Sequence, residues 1–240
     1  MSATVHIDFN RPIALFPLPS VAVYPHTSEW LVAFEPRYRQ MVEDCLRARG
    51  DGPVLDAAPI AMASYAGRGW QGERIGEPPL RPAVCVAKIV EHRALPDGRH
   101  QILLHGFTRA RIASIAEPDG RRLYRLGRLE PIDHRPGAAR RLPGLEAEIE
   151  ALVGSGELAR WQQLEPVRGW IKRGTVPTAF IVEQLLMLLS RGDDLRYRML
   201  AEPSGRVRAR FALSELAHLR ALLDGASERS GAVRRGVSRN

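Results

Sequence analysis

One stretch, residues Leu15–Leu46, constrains the fold of this chain more than any other, because prolines separate its apolar runs at set places. The apolar run Leu15–Leu18 contains a proline, which is typical of an edge strand because proline cannot donate to a sheet ladder. The run Glu29–Phe34 is rich in β-favouring residues and predicts a second strand. Pro36 suits the first turn of a helix, and apolar residues then recur at helical spacing. The stretch therefore predicts strand, loop, strand and helix.

A second informative stretch consists of two β-favouring runs, Ala83–Leu95 and His100–Ile115, joined by a tight turn. Asp97 and Gly98 lie in that turn, and Asp-Gly between two such runs is the strongest short-range signal for a hairpin. Gly106, in the middle of the second run, predicts a bulge or a bend. Because a third alternating run follows a further turn, the sequence predicts a meander that closes a small barrel.

These two stretches resemble, in order, the two signatures of the Lon protease N-terminal (substrate-binding) domain, especially its stand-alone bacterial members. LFPLP, YPH and FEPRYRQMVEDCL carry the first signature, and VAKI, LPDGR, LLHG and RARI carry the second. The resemblance extends over residues 12–224. It implies an α+β fold in which a PUA-like six-stranded pseudo-barrel with one packed helix is followed by a small C-terminal helical bundle.

Composition divides the chain into four parts. Residues 12–132 form the predicted PUA-like β-barrel subdomain. Residues 133–144 are rich in proline, glycine and arginine and predict a linker. Residues 145–225 show helical apolar spacing and predict a helical subdomain that ends at an Asp-Gly pair. Residues 226–240 are predicted to be a disordered basic tail.

The formal net charge is +8, and arginines are concentrated in two regions. Residues 121–141 contain seven arginines and residues 226–240 contain four, a pattern expected of a nucleic-acid binder. Lys88 and Lys172 are the only lysines, so the excess of arginine over lysine also fits a bias in genome composition. A solvated basic face is therefore the simpler interpretation. The alternative hypothesis is an RNA-binding PUA-like protein that contacts phosphates through the tail and the arginines of residues 121–128. Those arginines are Arg121, Arg122, Arg125 and Arg128.

Two more arginines, Arg109 and Arg111, lie two residues apart on a predicted strand and therefore share one face of it. Two interpretations are open: the two arginines line a groove, or they lie on a solvated face of the barrel. The solvated face is the expectation.

Catalysis requires a nucleophile, a base or a metal within reach of one another. Full-length Lon proteases carry a P-loop ATPase module and a Ser-Lys protease module. This chain has no G-x-x-x-x-G-K-[ST] motif and only two lysines, so neither activity is carried over by the resemblance. His92, His100 and His105 lie near the hairpin turn but lack the ligand support of a zinc site. We expect no enzymatic activity, no cofactor and no metal.

The two cysteines, Cys45 and Cys85, lie apart inside apolar runs and read as reduced core residues. The N-terminus lacks a signal-peptide pattern, and no run approaches the ~18 apolar residues of a membrane span. We expect a cytoplasmic protein with no membrane partner.

The resemblance implies a non-catalytic, polypeptide-binding protein with a substrate-recognition or adaptor-like role. Its expected partners are unfolded or flexible polypeptide segments, and a protease, a chaperone or a second copy of the chain are further candidates. Such binding needs an apolar cleft or an exposed strand edge, and the junction of barrel and helical half is the expected place. The candidate contacts are aromatic residues that also suit a core: Tyr24, Trp30, Phe34, Tyr38 and Phe107.

Overall fold

The computed structural model describes residues 6–67, 78–132 and 141–237, except for the side chains of residue 228 and of residues 230–237. These residues form six β-strands and six α-helices, joined in places by short 3-10 turns. The strands are β1 Ile13–Leu18, β2 Ser28–Ala33, β3 Ile60–Ser64, β4 Ala83–Ala94, β5 His100–Ala116 and β6 Leu126–Pro131. The helices are α1 Pro36–Arg47, α2 Pro143–Val153, α3 Glu165–Arg173, α4 Thr178–Leu189, α5 Asp193–Ala201 and α6 Gly205–Val237.

The chain divides into two compact units. The first contains the described residues up to 132 together with Arg191–Pro203, and the second contains the described residues of 141–190 and those from Ser204 onward. Helix α5 therefore belongs with the strands, although the sequence predicts one continuous helical subdomain over residues 145–225. Most of the predicted linker 133–144 lies outside the described residues.

The first unit is built on one six-stranded sheet with the order β2-β5-β4-β3-β1-β6. Strand β6, at the far end of this order, also pairs with β5, so the sheet curls round and closes on itself. Strands β4, β5 and β6 pair antiparallel in succession, as the predicted meander requires, and β1 pairs parallel with β3. The predicted α+β fold, a six-stranded pseudo-barrel with helices, is confirmed.

Strand β1 is an interior strand, so the prediction of an edge strand is wrong. It pairs with β3 along Ala14–Leu18 and with β6 at Ile13 and Ala14. Pro17 lies beyond the residues that pair with β6, so its missing N–H removes no bond of that ladder. Proline is thus accommodated by the short overlap of β1 with β6.

The interior of the sheet holds a cluster of aliphatic side chains, and α1 packs its apolar face on the same unit. The cluster includes Leu15, Val84 and Val86, each fully buried. Helix α1 begins at Pro36, as predicted. It buries the side chains that recur at helical spacing: Tyr38, Met41, Val42 and Cys45.

Gly106 lies at a bulge in β5, where the sequence predicted one. The register with β4 shifts there, so that Val86 pairs with Thr108 and Ala87 pairs with Gly106. The Gly106 N–H donates to the carbonyl of Thr27 at 2.9 Å, and its carbonyl accepts from the His26 N–H at 2.8 Å. A Cβ atom at this position would collide with the Tyr24 carbonyl and lie 2.8 Å from Cys85 Sγ. The close approach of the loop before β2 therefore requires glycine here.

We expect Gly106→Ala to lower the free energy of unfolding by about 1–3 kcal/mol, because the new methyl group meets backbone that cannot yield. Gly120→Ala is the matched control, since nothing lies within 4 Å of the Cβ it would add. Urea unfolding of both variants measures the difference. Equal midpoints would show that the loop before β2 shifts at little cost.

Arg109 is buried, with 1% of its surface exposed, so the expectation of a solvated face is wrong at this position. Its Nε donates to the carbonyl of Leu200 at 3.0 Å, and Nη2 donates to that of Met199 at 3.5 Å. Both carbonyls belong to the last turn of α5, where a cation satisfies groups that the helix leaves unpaired. Arg111, on the same face of β5, remains exposed.

We expect Arg109→Met to lower the free energy of unfolding by about 2–3 kcal/mol, because it leaves buried carbonyls without donors. Arg111→Met, at the exposed position, should change it by less than about 0.5 kcal/mol. Chemical denaturation followed by circular dichroism compares the two variants. A loss at Arg111 as large as at Arg109 would contradict the assigned role of the buried guanidinium.

The second unit consists of α2, α3, α4 and α6 around a core of aliphatic residues. Glu146, almost fully buried on α2, accepts hydrogen bonds from Arg141 and from the hydroxyl of Thr178 at the start of α4. The hydrogen bonds from Arg141 hold the pKa of that carboxyl below its usual range. This buried carboxylate therefore joins the first turns of two helices.

Helix α6 continues to Val237, whereas the sequence predicted an end at Leu223 and a disordered tail over residues 226–240. Asp224 accepts from the Glu157 N–H at 2.8 Å and lies 3.5 Å from the Arg220 guanidinium. The Asp-Gly pair therefore lies within the helix, because Asp224 is held by contacts in its own unit. Residues 238–240 lie outside the described chain.

Candidate functional site

Strand β2 is the end strand of the sheet order and pairs only with β5 among the described residues. Its six residues match His100–His105 in antiparallel register. A strand paired on one side presents alternate N–H and C=O groups on the other, and that edge can take another strand. The described chain therefore offers an open strand edge at β2.

The side chains next to this edge are apolar and exposed. Trp30 and Val32 are each 40% exposed, and Phe34, just after the strand, is 62% exposed. They lie at alternate positions, so they share one face, while Ala33 between them is fully buried. We call Trp30, Val32 and Phe34 the β2 face. It is a row of large apolar groups parallel to an open backbone edge.

The neighbouring strands extend the β2 face on the same side of the sheet. Leu103 of β5 lies opposite Trp30 and is half-buried. The guanidinium of Arg93 on β4 lies 5.4 Å from the centre of the Trp30 ring, and it also lies 3.9 Å from the Glu91 carboxylate. The surface is thus apolar with one cation stacked over its largest ring.

A polar group closes the other end of β2. The Ser28 hydroxyl lies 2.8 Å from Nδ1 of His105, and the His105 ring packs edge-on against Phe107 at 5.1 Å. Burial, followed by the charge of His26, lowers the pKa of His105. His105 is therefore neutral at neutral pH and serves as a hydrogen-bonding partner for the start of β2.

Comparison with known proteins agrees with the two sequence signatures. The family model described as the ATP-dependent protease La (LON) substrate-binding domain matches residues 12–218. The chain belongs to the Lon substrate-binding domain family. No curated protein matches it.

Two solved Lon domains are similar in fold to this family member. A Lon N-terminal domain protein from Xanthomonas campestris is 19% identical with a TM-score of 0.59, and the match covers 85% of this chain and 98% of that one. The N-terminal domain of a Mycobacterium avium complex Lon protease is 13% identical with a TM-score of 0.58, covering 86% of this chain and 98% of that one. At these identities the likeness concerns the fold alone.

The predicted aromatic contacts of this Lon-family chain separate into interior and surface residues. Tyr24 is fully buried and donates its hydroxyl to the Arg196 carbonyl at 2.7 Å. Tyr38 is also buried, and its hydroxyl donates to the Pro17 carbonyl at 3.2 Å. Burial strongly raises the pKa of Tyr38. These two tyrosines belong to the core, and Phe107 is half-buried in the β5 bulge. Of the five predicted contacts, only Trp30 and Phe34 of the β2 face are exposed.

Sequence reasoning missed Val32, Leu103 and Arg93 as parts of this surface. A signal for Val32 was present, because Trp30, Val32 and Phe34 alternate and alternation places them on one face of a strand. The contributions of β4 and β5 depend on the pairing register, which a single sequence does not contain.

The four arginines of the RNA hypothesis differ in their surroundings. Arg125 is buried, where its Nε donates to Glu117 Oε2 at 2.8 Å and its Nη1 to the Pro78 carbonyl at 2.6 Å. Arg122 is held by the Glu117 carbonyl and by Asp119. Arg121 and Arg128 are exposed. RNA binding stays a prediction that rests on those two residues, since the tail side chains lie largely outside the described part.

The histidines near the hairpin form a hydrogen-bonded chain. Nε2 of His92 lies 3.0 Å from Nδ1 of His100, whose Nε2 lies 3.3 Å from the Glu43 carboxylate. No group of three or more ligand-type side chains in the described residues is arranged to hold a metal ion. Burial raises the pKa of the Cys45 thiol to about 12, which removes it as a nucleophile at neutral pH. None of the described helices is both long and apolar enough for a membrane span.

Burial, with the charges of His100 and Arg49, lowers the pKa of His92. The folded state therefore binds a proton at His92 less readily than the unfolded chain does, and stability is lost as the pH falls below about 6.5. We expect His92→Gln to reduce the loss of stability between pH 7 and pH 5. Thermal unfolding at a series of pH values measures this slope. His6→Gln, at an exposed position, is the control, and identical slopes for both variants would contradict the assignment.

Proposed function

We propose that this chain is a non-catalytic, polypeptide-binding protein that recognises extended segments of other proteins along β2. The observation that supports this function is the open edge of β2 beside the β2 face. Polypeptide recognition by strand addition uses both parts, since the edge supplies backbone hydrogen bonds and the face supplies side-chain contacts.

Family membership supports the same role. The matched family is a substrate-binding domain, so recognition of polypeptide substrates is its expected contribution. The β2 edge adds a physical means of recognition that is largely independent of sequence, because every polypeptide presents the same backbone groups. Unfolded or flexible segments are the natural ligands, since their backbone groups are available.

The β2 face adds a preference to this general binding. In an added strand every second side chain lies on the same side of the sheet as Trp30, Val32 and Phe34. Apolar side chains at those alternate positions would bury surface against the β2 face and contribute about 25 cal/mol per Å². The Arg93 cation near Trp30 favours an acidic residue at the neighbouring position.

The test is binding of fluorescein-labelled casein, an unfolded polypeptide, measured by fluorescence anisotropy. We expect the triple variant Trp30→Ser, Val32→Ser and Phe34→Ser to bind at least about tenfold more weakly, because each lost apolar contact costs roughly 1 kcal/mol. All three side chains are exposed, so the change leaves the core intact.

The control variant is Leu123→Ser with Leu222→Ser, which removes two exposed leucines that are not part of the β2 face. It should bind casein as the unsubstituted chain does. The proposal fails if the control loses as much affinity as the triple variant, or if the triple variant binds unchanged.

A further inference from the structure

The helical second unit contains a cavity of about 660 Å³ bounded by α2, α4 and α6. This volume is within the range of about 300–1,000 Å³ that is usual for small-molecule sites. Its walls are mainly aliphatic and come from all three helices: Leu145, Ala179, Val182, Ala209 and Leu213. All of its lining residues belong to the second unit, so no residue of the β2 face lines it.

The charged groups that line this cavity are unevenly balanced. Arg208 and Glu183 are both buried and form an ion pair at 3.0 Å, so they neutralise each other. Arg206 and Arg210, one helical turn apart on α6, are exposed, and no side-chain hydrogen bond or ion pair joins either guanidinium to a described residue. Against these two cations stands one exposed carboxylate, that of Glu148 on α2.

The position of the two arginines adds to this excess. Both lie in the first two turns of α6, which begins at Gly205. The N-terminus of a helix carries a partial positive charge from its unpaired N–H groups. An apolar cavity whose cations gather at the start of a helix is complementary to a molecule with an apolar body and an anionic head.

We propose that this cavity binds a small amphiphilic anion, with its hydrocarbon body between α2, α4 and α6 and its carboxylate-type head group at Arg206 and Arg210. The occupant is a free small molecule, because the volume of the cavity matches that class of ligand. The site does not depend on polypeptide binding at β2, and a failure of either proposal leaves the other standing.

The first test is isothermal titration calorimetry of the full chain with decanoate, decanol and decyltrimethylammonium, each below its micelle concentration. These probes share a chain length and differ in head-group charge. We expect decanoate to bind at least about fivefold more tightly than decanol, since an exposed ion pair is worth up to about 1 kcal/mol. Decyltrimethylammonium should bind more weakly than decanol. Absence of decanoate binding, or equal affinity for the three probes, overturns the proposal.

The second test uses charge variants of opposite expected sign. Arg206→Gln with Arg210→Gln should weaken decanoate binding about tenfold, because both ion pairs are lost. Glu148→Gln removes the one opposing exposed charge and should tighten it. Arg173→Gln, at an exposed position on α3 that does not line the cavity, is the control and should leave affinity unchanged.

Ala209→Phe fills the cavity from its α6 wall and should abolish decanoate binding. Thermal unfolding shows whether this variant remains folded. If it does not, Glu148→Gln decides the question, because that exposed substitution preserves the side-chain volume. Unchanged affinity in Glu148→Gln, or an equal loss in Arg173→Gln, overturns the proposal.

Discussion

The first unit depends on the buried guanidinium of Arg109. Burial of a charge is costly unless every donor is satisfied, and here carbonyls at the end of α5 accept from it. Tyr24 reinforces this arrangement, since its hydroxyl reaches the Arg196 carbonyl on the same helix and its ring lies 5.8 Å from the Arg109 guanidinium. A segment distant in sequence is thereby held by the strands, and the chain crosses between its two units three times.

The same arrangement explains where an open edge remains. Strands β1, β3, β4, β5 and β6 each have a partner on both sides, because β5 is long enough to pair with β2, β4 and β6. Only β2 is left with one partner in the described sheet. The bulge at Gly106 lets the loop before β2 approach β5 closely, so the open strand is attached to a rigid support. Rigid support lowers the entropy cost of adding a further strand.

Local patterns predicted most elements of the first unit because they depend on neighbouring residues. The hairpin turn at Asp97-Gly98 and the helix that begins at Pro36 follow from backbone preferences of single residues. The exposure of Arg109 was predicted wrongly because its strand face is covered by α5, a helix that lies some ninety residues later. The site was predicted in part: Trp30 and Phe34 are at the surface, while Tyr24 and Tyr38 are used by the core.

The sequence by itself determined the family, the α+β class and the order of strands and helices, because these are recorded in local spacing and in two ordered signatures. The tertiary structure alone decided which strand keeps an open edge, which arginines are buried and which helices line the cavity. These properties depend on pairing register and on contacts between distant segments. Residue type alone does not reveal them, because an arginine is solvent-exposed on an open face of a strand and becomes a buried structural residue when a helix covers that face.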